Sequence, residues 1–194
     1  MGVRERAHEL TNARSYDMIE NKKIKTALIT GASSGIGSAL AHELAEHGYN
    51  LILMARRAEL LQQLKTDIQN KHSSAKVVVV ASDVSDYEKH MNDVRDASKE
   101  FTSLDLVIAN AGVGYTTDES KNCWEKNKKT FDVNVLGALA TLEVAKDIML
   151  KQGHGHLAGV TSMAAFRGIP LSSSYSGSKA GLGIFLESMR LDLL

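Results

Sequence analysis

Apolar residues recur along this chain in two alternating rhythms. Short unbroken runs appear at KTALIT (residues 25–30), NLILMA (50–55), KVVVVA (76–81), LDLVIA (104–109) and HLAGVT (156–161). Each has the length of a strand, and the β-branched KVVVVA predicts one buried on both faces. Between these runs the spacing stretches to the helical period. Leu40, Leu44 and Ala45 share one face of SALAHELAEH (38–47), a helix that Gly48 should close, and Leu60, Leu61, Leu64 and Ile68 form a stripe on AELLQQLKTDIQ (58–69). Further helices are predicted over 86–101, over about 119–152 with Phe131, Val135, Leu139 and Leu142 facing inward, and over 174–194. Strands alternating with helices predict an α/β domain: a doubly wound parallel sheet covered on both faces. Residues 1–22 read as a polar tail and 23–194 as the domain. In such sheets ligands bind beyond the carboxyl ends of the strands, where the order reverses.

The first of those ends carries TGASSGIG, Thr30 to Gly37. Gly31 can take the turn, Gly35 can let a pyrophosphate approach the backbone, and Gly37 can allow close packing of helix on strand. Ser33 and Ser34 add hydroxyl donors, and the helix start adds free N–H groups and partial positive charge. A tight strand-to-helix connection explains the glycines alone about as well. Their position after the first strand tilts the reading toward a dinucleotide. No Gly-Lys-Ser/Thr ending is present, which disfavours a triphosphatase loop.

Bulk properties narrow the class. The 194 residues suit one domain, and 43% hydrophobic content is ample for its core. Acidic and basic residues balance at 23 each, so charge gives no case for nucleic acid or a membrane surface as partner. Cys123 is the only cysteine, which excludes an internal disulfide and a multi-thiolate metal site. No apolar run approaches the roughly 20 residues of a membrane span, and the first residues lack the apolar middle of a secretory signal. A soluble cytoplasmic protein without a metal is expected. His154 and His156 read as a turn before a strand, and Cys123 and Trp124 as helix packing residues. Met163 and Phe166 read equally as pocket lining or loop packing.

Further motifs follow in order: ANAG (Ala109–Gly112), Asn134 in FDVNVLGAL, Ser162 in VTSMAAF, and YSGSK (Tyr175–Lys179). With TGASSGIG they resemble the short-chain dehydrogenase/reductase family in its common, non-extended form. The resemblance runs from about Lys25 to the end. It implies a Rossmann-type fold with strand order 3-2-1-4-5, a nicotinamide dinucleotide, and hydride transfer between that cofactor and a carbonyl or alcohol substrate. Asn134, Ser162, Tyr175 and Lys179 match the catalytic positions. The fingerprint residues Gly31, Ser33, Ser34, Gly35, Ile36 and Gly37 match cofactor contacts, as do Asp83 and Val84 at the adenine and Asn110, Ala111 and Gly112 beneath the ribose. Asp83 could otherwise cap the next helix, and Asn110 could tie neighbouring strands together. In NAD-binding members the second strand ends in an acid. Here Ala55 stands in its place, followed by Arg56 and Arg57, which can pair with a 2′-phosphate. NADP is therefore favoured over NAD, with Arg56 the better candidate.

Tyr175 and Lys179 are four apart, so a helix points both to one side. A free phenol titrates near 10. A lysine charge about 5 Å away, at an effective dielectric near 20, favours the phenolate by roughly 3 kcal/mol, which makes such a tyrosine a usable proton shuttle. Ser162, at a strand end, can stabilise charge on a substrate oxygen. Asn134 sits mid-helix, against propensity; the resemblance assigns it a backbone kink that holds a water and links Lys179 to solvent. Lys179 would also hold the nicotinamide ribose. The resemblance further implies a strand, a substrate-covering helical segment and a last strand beyond Leu194, so the chain as written is expected to be truncated, with HLAGVT as an exposed edge. It also implies a homodimer or homotetramer through the last two long helices, where Gly181 and Gly183 allow close approach. Two rivals remain: a nucleotide-sensing or partner-binding module without catalysis, and an S-adenosylmethionine methyltransferase. The latter shares the alternating pattern but leaves Ser162, Tyr175 and Lys179 unexplained.

Overall fold

The computed structural model describes residues 25–117 and 121–193, so the polar tail assigned to 1–22 lies outside the described residues. Five parallel strands form one sheet: β1 (Thr26–Thr30), β2 (Asn50–Ala55), β3 (Val77–Ala81), β4 (Leu106–Ala109) and β5 (His156–Gly159), in the order β3-β2-β1-β4-β5. This is the expected doubly wound arrangement. Helices α1 (Gly35–Glu46), α2 (Ala58–Lys71) and α3 (Tyr87–Ser98) supply the first crossovers. After β4 the chain runs through α4 (Trp124–Phe131), a π-helical turn (Asp132–Gly137) and α5 (Ala138–Gln152), and it ends in α6 (Ser173–Asp192).

The alternation of side chains along each strand feeds two cores. Ala27, Ile29, Leu51 and Leu53 pack on one face with Ala41 and Ala45 of α1 and Leu61, Leu64 and Ile68 of α2. Leu28, Ile52 and Met54 face the other way, onto Val94 and Ala97 of α3 and Val144, Ala145 and Met149 of α5. A third cluster joins Ala109, Leu142, Leu182 and Met189, which seats α6 against α5 and the end of β4. Each fully buried leucine or isoleucine contributes about 1.5–3 kcal/mol, so both covers are firmly attached.

Two expectations need correction. The run KVVVVA is not buried on both faces: only Val77 is fully enclosed, Val78 to Val80 are half-buried and Ala81 is exposed. β3 is the outermost strand on its side among the described residues, so helices cover it incompletely. The long fourth helix is also not one regular helix. Its π turn inserts extra backbone and rotates the inward stripe, so Val133, Asn134 and Gly137 are buried while Phe131 is 43% exposed. Leu142 faces the core as expected, and Val135 and Leu139 are half-buried.

Candidate active site

β1 lies where the strand order reverses, and the crevice opens beyond its carboxyl end, between β2 on one side and β4 on the other. The buried Thr30 Oγ1 accepts the backbone N–H groups of Asn110 and Ala111, each at 3.1 Å. The Asn110 amide donates back to the carbonyls of Thr30 (2.9 Å) and Gly31 (3.3 Å). Asn110 therefore does tie neighbouring strands together, and it also dictates the glycines. A Cβ on Gly31 would stand 2.8 Å from Ala111 Cα, and one on Gly37 would stand 2.7 Å from the Asn110 amide nitrogen and meet the Gly31 carbonyl. Gly35 differs: its φ of +57° suits glycine, yet open space lies where its Cβ would point.

A cleft of about 300 Å³ occupies the crevice. Four strand ends line it. The turn after β1 gives Gly31, Ser33, Ser34 and Ile36; the end of β2 gives Ala55, Arg56 and Arg57. The segment after β3 gives Ser82, Asp83 and Val84; that after β4 gives Asn110, Ala111, Gly112 and Val113. Arg57 Nη2 donates to Ser33 Oγ and Ser34 Oγ, both at 3.0 Å, which leaves the two serine hydroxyl protons for a ligand. Arg57, rather than Arg56, is thus fixed over the glycine turn, while Arg56 is exposed at the cleft rim. Asp83 does not cap α3: its Oδ1 accepts the amide (2.9 Å) and hydroxyl (2.7 Å) of Ser85 in a local turn. Burial would raise the Asp83 carboxyl, but these bonds and the charges of Lys129 and Arg56 outweigh it and hold the group below its ordinary value.

Tyr175 and Lys179 lie one turn apart in the first half of α6. The Tyr175 ring is stacked on Gly114, where a Cβ would come within 3.1 Å of the ring. Lys179 is only 4% exposed, and burial pushes its ammonium below the usual lysine range. Its Nζ donates to the Val160 carbonyl at 2.7 Å and stands 6.0 Å from the Tyr175 ring centroid. Gly112 brings this group to the cleft, since a Cβ there would be 3.3 Å from Lys179 Nζ and 3.4 Å from Asn134 Oδ1. Asn134 is fully buried in the π turn: its Oδ1 accepts from Val113 N (2.7 Å) and its Nδ2 donates to Val113 O (2.9 Å) and Ser178 Oγ (3.0 Å). Ser178 Oγ passes its own proton to the Tyr175 carbonyl at 2.8 Å. Ser162 caps a short 3₁₀ turn (Met163–Ala165) packed on α6, and its Oγ accepts the Ala164 amide at 3.1 Å.

Several of these partners were not singled out in the sequence. Ser178 lies inside YSGSK, three residues after Tyr175, where a helix brings a hydroxyl back to the carbonyl of the tyrosine it must hold. Thr30 and Gly114 flank the glycine turn and ANAG, but nothing in their spacing announces a strand-to-strand bond or a ring contact. Other readings change. Trp124 is 63% exposed and Met163 and Phe166 are 85% and 87% exposed, so none is a packing residue within this chain. His154 bonds Asp105 (3.3 Å) and the Gln152 carbonyl (3.1 Å) in the turn before β5. Among the described residues, no three His, Cys, Asp or Glu side chains gather as a metal site, and no helix is long and apolar enough to cross a membrane.

A family model described as short chain dehydrogenase matches residues 25–194. The chain belongs to the short-chain dehydrogenase/reductase family. Among curated relatives, this family member is 43% identical to an uncharacterized oxidoreductase of Myxococcus xanthus over 169 residues, covering 87% of this chain and 66% of that one. An uncharacterized oxidoreductase of Mycobacterium tuberculosis is 36% identical over 166 residues, 85% of this chain and 66% of the relative. This short-chain dehydrogenase/reductase chain thus spans 66% of the length of those relatives. Among solved structures, an alcohol dehydrogenase of Thermococcus sibiricus complexed with 5-hydroxy-NADP superposes with a TM-score of 0.83 at 30% identity, over 88% of this chain and 72% of that one. An NAD+-bound xylitol dehydrogenase also reaches 0.83, at 27% identity over 89% of this chain and 66% of the other.

Proposed function

We propose that this short-chain dehydrogenase/reductase is an NADP(H)-dependent oxidoreductase that interconverts a carbonyl compound and the corresponding alcohol. The observation that carries the reading is the pairing of two ends in one crevice. One end offers Arg57 with Ser33 and Ser34 over a glycine turn; the other brings Lys179 and Asn134 against Gly112 and Tyr175 against Gly114. The residues fit a dinucleotide: Gly35 leaves open space at the helix start where phosphate would approach, and no carboxylate stands at residues 55–57 to repel a 2′-phosphate. Relatives of known structure carry either form, 5-hydroxy-NADP in one and NAD+ in the other, so the preference for NADP rests on the arginines.

When bound, the nicotinamide supplies or accepts the hydride at the substrate carbon. Tyr175 gives a proton to the carbonyl oxygen in reduction and takes one from the alcohol in oxidation. The buried Lys179 ammonium, beside Gly112 of the cleft wall, would favour the ionised phenol and hold the nicotinamide ribose. Ser162 Oγ already accepts the Ala164 amide, which leaves its hydroxyl proton free to donate to a substrate oxygen. Asn134 keeps the Val113 backbone, Ser178 and hence Tyr175 in register. The substrate is a small molecule, and a second copy of the chain is the expected partner, since Phe131 and Ile184 remain 43% and 65% exposed on neighbouring elements.

Fluorescence titration with NADPH and NADH tests the cofactor choice; tighter NADH binding would reject the arginine argument. Tyr175→Phe should lower turnover by about a hundredfold or more while NADPH affinity stays unchanged. Turnover retained by that variant would remove Tyr175 from proton transfer.

A further inference from the structure

One buried titratable side chain has no part in that mechanism. His90, on the inner face of α3, has no exposed surface. Its Nδ1 lies 2.9 Å from Ser82 Oγ and its Nε2 lies 2.8 Å from Thr141 Oγ1 of α5. The Thr141 hydroxyl donates to the Gly137 carbonyl at 2.8 Å. That single proton is therefore committed, so Thr141 must accept from Nε2–H, and bare Nδ1 must accept from the Ser82 hydroxyl. The network assigns one tautomer and runs in one direction, from Ser82 through His90 and Thr141 to the π turn.

Both ends of this chain touch the cleft wall. Ser82 lines the cleft directly, at the end of the strand beside the one that gives Arg56 and Arg57, and it precedes Asp83 and Val84. Gly137, at the other end, packs so tightly on Val84 that a Cβ there would stand 2.7 Å from the valine side chain and 2.8 Å from its carbonyl. The same segment is held to the π-turn region twice more, by Lys129 Nζ on Ser85 Oγ (2.8 Å) and by the Tyr87 hydroxyl on Asp132 (3.3 Å). An aliphatic residue would fill the interior position of His90 equally well. A neutral imidazole there is useful only because it joins two hydroxyls.

We propose that His90 is a positioning residue for the adenosine end of the dinucleotide, fixing Ser82, Asp83 and Val84 from behind the cleft wall. This rests on the dinucleotide reading given above. Burial, which lowers the imidazole to about 4 despite the nearby Asp93 and Asp83 carboxylates, keeps the ring neutral as the network requires. Lys89, one residue before it, acts in the same direction.

The test is fluorescence titration of the protein with NADPH, together with displacement by 2′,5′-ADP, which carries only the adenosine end. His90→Leu keeps the volume and removes both bonds; His90→Gln keeps one acceptor and one donor. His90→Leu should weaken both probes by about tenfold, and His90→Gln should restore most of that loss. Should His90→Leu fail to fold, Thr141→Val, which removes the acceptor of Nε2–H together with the bond to the Gly137 carbonyl, should weaken both probes in the same sense. Unchanged affinity in the Leu or Val variant, or a Gln variant as weak as Leu, would overturn the proposal and leave His90 a core residue. Wild-type protein that binds neither NADPH nor NADH would instead sink the dinucleotide reading itself.

Discussion

The glycine turn after β1 and the π turn before α5 meet the same cleft but are held in opposite ways. The first is shaped by side chains that are missing: Gly31 and Gly37 leave the space that the Asn110 amide fills. The second is shaped by a side chain that is present: Asn134, fully buried, makes three hydrogen bonds that no apolar residue could replace. A turn held by absence fails on addition, and a turn held by a polar group fails on deletion. The first failure is steric and independent of pH or ligand. The second leaves backbone groups of Val113 without partners, in a region that binding could partly restore.

Gly37→Val is the harshest way to break the contrast. The new side chain would meet the Gly31 carbonyl, the Asn110 amide and Ala32 Cα, of which two are backbone. A loss of about 3–4 kcal/mol is expected in urea unfolding, with no recovery on adding NADPH. Acid titration probes the polar side next. His90 stands at about 4 in the folded protein against 6.5 for a free imidazole, so the unfolded chain binds one more proton between those values. The His90 contribution to stability is therefore constant above pH 6.5 and falls by about 3 kcal/mol as pH drops from 6.5 to 4, a contribution that His90→Gln should remove from the measured slope. Asn134→Ala should cost about 2–3 kcal/mol in the same unfolding assay, and NADPH should recover part of it. The smallest effect sharpens the first region: Arg57→Ala should weaken NADPH by about tenfold and NADH by less, because a 2′-phosphate would add its own demand on a guanidinium that also holds Ser33 and Ser34.

What could be read from the sequence follows the same divide. The glycine turn was legible because its geometry is local: the spacing of Gly31, Gly35 and Gly37 after an apolar run fixes strand, turn and helix together. The strand order is not local in this way: it came with the resemblance that the motifs carry together. The burial of KVVVVA was not, since nothing inside that run records that β3 would stand at the margin of the sheet. The inward stripe of the long helix failed at Phe131 because a π turn shifts the period that the stripe was counted on. Tyr175 and Lys179 fell on one side of α6 as their spacing requires, but the lysine's carbonyl partner, Val160, comes from a separate segment. The sequence placed Arg56 ahead of Arg57, because nothing next to them records the pair of serines that the other strand end brings within reach of Arg57.

The bond of Thr30 to the start of the segment after β4 has a consequence for the mouth of the crevice. One oxygen atom catches two consecutive amides just where the helices following the neighbouring strands depart to opposite faces of the sheet. It acts as a rivet at the crotch of a fork. How far the two tines can spread is limited by this hydroxyl together with the Asn110 amide that clasps the same joint from the other side.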